Sequence, residues 1–104
     1  MSDLVGTWVC YARQASDYAP LRKVGTNDLP ALVINSNGTG YARRKKLFGS
    51  ENQSLSWYES QGTYVISIPE SGVRLWAHFE FDLVVRWESS FGAVDGMITY
   101  YRRA

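Results

Sequence analysis

The chain has 104 residues, with eleven basic and ten acidic side chains and a formal net charge of +1. A chain of this length builds one core and leaves no room for a separate catalytic lobe, so residues 1–104 are read as a single domain. The near balance of charge excludes a global field toward nucleic acid or an anionic membrane surface, and any such binding has to be local.

The opening Met1-Ser2-Asp3-Leu4 has no basic region followed by an apolar run. No later stretch approaches the ~20 apolar residues of a membrane-spanning helix. The expectation is a soluble, cytoplasmic protein with no membrane and no nucleic-acid partner. Cys10 and His78 are the only residues of their kinds, which leaves no internal disulfide and no cysteine-rich or histidine-rich metal site. No metal and no cofactor is expected.

Apolar and polar residues alternate, with β-branched and aromatic side chains bounded by Gly, Asn, Ser and Pro, so the class is all-β. The first strand runs from Leu4 to Tyr11, with Val5, Thr7, Val9 and Tyr11 on one face and Gly6, Trp8 and Cys10 on the other. From Arg13 to Pro30 no strand pattern appears, and two prolines, Gly25 and the Thr26-Asn27-Asp28 cluster mark a connection. A connection this long is often functional; Ser16 to Lys23 is its candidate for a short helix, and Tyr18 and Leu21 for a lid over a cavity mouth.

Strands at Ala31 to Ile34 and Tyr41 to Phe48 are joined around Asn37-Gly38, the strongest hairpin signal in the chain. A two-residue turn there sets Ile34 against Tyr41 and Leu32 against Arg43. Tyr41 and Arg43 then share the inner face with Lys45 and Leu47, while Arg44 and Lys46 point outward. A bulged loop at Ser36 to Gly38 reverses this, sending Arg43 out and Arg44 in.

A turn at Gln61-Gly62 pairs Glu59 with Tyr64, Trp57 with Ile66 and Leu55 with Ile68. A turn at Ser71-Gly72 pairs Ile68 with Leu75, Ile66 with Ala77 and Tyr64 with Phe79. The three strands then share one apolar face, opposite a face with Tyr58, Val65, Trp76, His78 and Glu80. Val73 to Trp87 is too long for one strand, so it divides near Phe81-Asp82, with Leu83, Val85 and Trp87 inward. After a loop from Glu88 to Gly96 the last strand begins at Met97. The sum is about eight antiparallel strands, the count at which an up-and-down sheet closes into a small barrel.

The Gly6-Thr7-Trp8 step near the start, the consecutive hairpins and the arginines of the last strand resemble the lipocalin-like, or calycin, barrels. The resemblance implies that Trp8 plugs one end of the barrel and that Arg102 or Arg103 packs over it. It also implies a cavity, though such barrels host transport, inhibition and isomerase or cyclase activities alike.

Trp57, Tyr64, Phe79 and Trp87 on the inner face form an aromatic wall suited to a planar or apolar small molecule. Arg43 in such an interior needs either a protein partner, with Glu59 nearest, or an anionic ligand. The candidate ligand-binding residues are therefore Tyr41, Arg43, Trp57, Glu59, Tyr64, Phe79 and Trp87. Trp76 among β-branched residues on the outer face points to a homodimer. Three functions stay open: a binder of an apolar or aromatic, possibly anionic, molecule; a cofactor-independent isomerase or cyclase; and an oligomeric scaffold with a packed interior.

Overall fold

The computed structural model describes residues 3–25, 31–45, 47–92 and 94–104, the Lys45 side chain excepted. The strands are β1 (Gly6–Gln14), β2 (Arg22–Lys23), β3 (Ala31–Ile34), β4 (Thr39–Lys45), β5 (Ser50–Ser60), β6 (Thr63–Ile68), β7 (Val73–Glu80), β8 (Asp82–Ser89) and β9 (Ile98–Arg103). From β3 to β9 each strand is hydrogen-bonded to the next, and β9 returns to β1. All pairings are antiparallel. One edge of β1 is shared end to end: β3 pairs with Gly6 to Trp8, and β2 with Ala12 and Arg13. The result is the expected all-β fold, a closed up-and-down barrel of eight strands with β2 completing the edge of β1.

The interior is chosen by the even-numbered side chains of β1, β3 and β4 and by the odd-numbered ones of β7 and β8. Leu32, Ile66, Leu75, Leu83 and Val85 are each fully buried. Burying an aliphatic side chain of this size contributes roughly 1.5 to 3 kcal/mol. Trp8 and Cys10 also point inward. Past Cys10 a bulge leaves Tyr11 without a partner on β9, which lets Ala12 pair with Tyr100 on the outer face.

Three hairpins show how turn chemistry fixes register. Gln61 and Gly62 both have positive φ, 53° and 81°, as the expected two-residue turn requires, and Trp57 faces Ile66 with Glu59 facing Tyr64. At β6–β7 the expected two-residue turn is replaced by a 3-10 turn over Pro69–Ser71 with left-handed Gly72. Tyr64 consequently faces Ala77, Ile66 faces Leu75 and Ile68 faces Val73. The slide is two residues, so every side chain keeps its face. Phe81, at φ 65°, sits alone between Glu80 and Asp82 at the β7–β8 tip.

The β3–β4 hairpin differs by one residue, and that matters more. Asn35 N donates to Thr39 O at 2.9 Å around a Ser36-Asn37-Gly38 loop, with Gly38 left-handed at φ 85°. The Asn37 carboxamide accepts from Thr39 N and Thr39 Oγ1, which favours this three-residue loop over the two-residue one. Ile34 now faces Gly40, Leu32 faces Ala42 and Ala31 faces Arg43. Gly40 is required there, because a Cβ would lie 2.1 Å from Val33 O.

The connection after β1 forms turns and the short β2, without the expected helix. Its part from 26 to 30 lies outside the described residues, as does Lys46. No helix among the described residues is long and apolar enough to cross a membrane.

Candidate functional site

The two ends of the barrel are built differently. At the closed end the Arg103 guanidinium lies 4.3 Å from the centre of the Trp8 ring and donates to the carbonyls of Val5 (3.0 Å) and Asp3 (2.5 Å). Trp8 Nε1 donates to Leu4 O at 2.8 Å. Gly6, at φ 140°, leaves the room the guanidinium needs, since a Cβ would come within 2.6 Å of it. Of the two arginines implied by the resemblance, Arg103 takes the position over Trp8, while Arg102 sits over Tyr11 outside.

Trp8 continues into a chain of rings, with centroids 5.7 Å to Phe79, then 6.0 Å to Tyr64 and 6.1 Å to Trp57. The structure thus brings Trp57, Tyr64 and Phe79 together, but as packing against one another at the plugged end. Trp57 Nε1 is further held by Asn35 O at 2.8 Å. Glu59 is exposed at the rim of that end.

Tyr41 and Arg43 require a correction. The three-residue loop turns both outward, where Arg43 Nη2 donates to the Tyr41 hydroxyl at 2.7 Å and lies over its ring. Arg43 therefore does not face the interior, and Glu59, at the other end of the barrel, is not its partner. Ala42 and Arg44 take the inner side. His78 and Glu80, 3.4 Å apart, are on the outer wall with largely exposed side chains.

The other end is open, and of the seven candidates only Trp87 reaches it. Two adjoining cavities lie there, sharing Val94 and Met97 as their common wall. The first, about 370 Å³, is bounded by Arg13, Ala15, Ala19, Pro20, Arg22 and Asp95. The second, about 180 Å³, is bounded by Ala42, Arg44, Glu51, Gln53, Ile68, Ser71, Val73 and Trp87.

The loop carrying Val94 and Met97 is tied to β8 through Trp87. Trp87 N donates to Met97 O at 2.8 Å, Gly96 N donates to Trp87 O at 3.1 Å, and Trp87 Nε1 donates to Thr99 Oγ1 at 2.7 Å. Asp95 is engaged by Ser89 N at 2.5 Å. Gln53 Oε1 accepts from the Ser71 hydroxyl, which closes the far side of the second cavity.

The electrostatics of the first cavity are unbalanced. Arg13 and Arg22 are directly opposed on β1 and β2 and both line it. Neither has an ion pair among the described residues. Like charges in directly opposed positions repel, and an anion between them removes the repulsion. Arg44, by contrast, faces Glu51 across β4 and β5.

Burial pushes the Cys10 thiol up from its ordinary value, and burial does the same to the Tyr101 phenol. The Tyr11 hydroxyl donates to Asp82 at 2.5 Å, which with desolvation pushes the phenol up to about 12. Among the described residues no cluster of three or more His, Cys, Asp or Glu is placed to hold a metal ion.

Sequence reasoning missed Arg13, Arg22, Val94 and Met97, and placed Arg44 inside only under the bulged-loop alternative. The first two lie in a segment without strand alternation, and their opposition exists only through the two-residue β2. A hydrophobic residue preceding Gly96 and another following it was the one available sign that this loop folds inward. Comparison of the chain with protein-family models, with curated proteins and with solved structures returns no match.

Proposed function

We propose that this is a lipocalin-like small-molecule binder whose site is the open mouth, and that its ligand is an amphipathic anion. The observation that carries the reading is the opposed Arg13–Arg22 pair, which has no ion pair among the described residues, beside a cavity with an apolar wall. A carboxylate, sulfate or phosphate head fits between the guanidiniums, which offer planar donor forks to such groups. The apolar body then passes the Val94 and Met97 wall toward Ile68, Val73 and Trp87. Met97, unbranched and adaptable, is a suitable side chain for a wall that must yield. The combined space matches small-ligand sites, which run from about 300 to 1,000 Å³.

The packed interior supports a mouth site over a site deep in the barrel: Cys10 and Ala77, small enough to have left space, are buried among larger neighbours. Titration of tryptophan fluorescence with decanoate and with decanol tests the reading. Decanoate is expected to quench saturably, and Arg13→Ala and Arg22→Ala to raise its Kd about tenfold each, equivalent to about 1.4 kcal/mol. Decanol binding should hardly respond to either change. Equal affinity for the two compounds, or loss of both in the arginine variants, would overturn the proposal.

A further inference from the structure

The exposed large apolar side chains of this barrel are not spread evenly. Tyr18, Leu21, Leu47, Phe48 and Phe91 are 99%, 58%, 91%, 91% and 84% exposed, and all lie on the three connections β1–β2, β4–β5 and β8–β9. Antiparallel topology puts those connections at one end, around the mouth. Among the described residues the plugged end has one such loop tip, Phe81, with Tyr58 (58%) and Phe79 (37%) exposed on the strands beside it.

Charge divides along the same axis. The plugged end carries Asp3, Glu59, Glu80 and Asp82 against Arg102 and Arg103, whereas the mouth half carries Arg13, Arg22, Lys23, Arg43 and Arg44 against Glu51, Glu70 and Asp95. The remaining wall charges cancel locally: Arg86 bridges Asp17 at 2.6 Å, and Arg74 faces Glu88. Among the described residues the charge is therefore polarised along the barrel, and the basic end is also the apolar end.

We infer that the mouth loops dock on an anionic lipid bilayer. Protruding apolar tips with cations set behind them match the two layers of such a surface, acyl chains beneath negatively charged headgroups. Phe48 and Phe91 enter the boundary between the layers, and the arginines stay at headgroup level. A protein partner is a weaker fit, because isolated side chains on separate loop tips make no continuous flat patch to match a rigid surface. The inference goes beyond the ligand site and does not depend on it.

The test is co-sedimentation of the full chain with vesicles of phosphatidylcholine alone and of phosphatidylcholine with one third phosphatidylglycerol, without soluble ligand. In about 0.05 M salt the protein is expected to bind the anionic vesicles, and the partition coefficient should fall at least about fivefold on neutral vesicles or in about 0.5 M salt. Phe48→Ser combined with Phe91→Ser should lower it by a similar factor, with an unchanged unfolding midpoint. Phe81→Ser, equally exposed at the other end, should leave it unchanged. No binding to anionic vesicles, salt-independent binding, or an equal loss with Phe81→Ser would overturn the inference. So would sedimentation of a vesicle-free dimer that the double substitution dissociates, since the loops would then belong to a second copy. Decanoate binding by the same double variant separates this outcome from failure of the ligand site.

Discussion

Arg13 of β1 and Arg22 of β2 face each other directly across a two-residue ladder, on the side turned to the barrel mouth. Under the proposed function, stability and binding are set against each other at this pair. Like charges in this position destabilise by about 0.2 to 1 kcal/mol. Arg22→Gln is therefore expected to raise the urea midpoint of the ligand-free protein while weakening decanoate. The stability gain should shrink as salt rises, because exposed charges are screened.

Arg103 and Gly6 make a second coupled pair. Arg103→Leu removes a cation–π contact and two hydrogen bonds to carbonyls, and a loss of about 1 to 3 kcal/mol is expected from denaturant unfolding. Gly6→Ala should cost a similar amount, through its positive φ and the clash with the guanidinium. In the double variant the clash partner is gone, so the two losses should add to less than their sum.

Neighbouring arginines on β4 should behave oppositely. Arg43→Ala is expected to leave decanoate affinity within about twofold and to cost under about 0.5 kcal/mol, as its contacts with Tyr41 are at the surface. Arg44→Ala alters the wall of the second cavity and should change affinity measurably. Isothermal titration of both variants distinguishes them.

The alkaline limb of stability should carry the signature of Tyr11. Its folded value, about 12, lies above the ordinary 10, so the folded state holds the proton more tightly than the unfolded state does. The stabilisation is complete below pH 10 and is lost as the pH rises from 10 through about 12. Tyr101, also shifted upward, acts in the same direction. Unfolding free energies measured across this window should fall, and Tyr11→Phe should flatten the fall in part.

Fold class, strand number and most inner-face assignments were legible in the sequence because period-two alternation survives any error of an even number of residues. The β6–β7 hairpin shows this: its register slid by two, yet Ile66 and Ala77 stayed inside. The β3–β4 hairpin shows the converse. Asn37-Gly38 is a strong turn signal, but the Asn37 side chain captures Thr39, and the extra loop residue moves Tyr41 and Arg43 out of the barrel. The mouth was not legible, because it is assembled from irregular segments whose neighbours are set by barrel closure. Trp87, on a regular strand, was the one of the seven candidate ligand-binding residues that lies there.

The β1–β9 ladder pairs Trp8 with Arg103 and Gln14 with Ile98, contacts spanning most of the chain. As the polypeptide leaves the ribosome, β1 must keep one backbone edge uncapped through the synthesis of all the other strands. Such an edge invites pairing with other chains, and closure this non-local is intrinsically slow. The strand that holds both the plug and half of the arginine pair is thus the last to be protected, and chaperone dependence during synthesis should centre on residues 6 to 14.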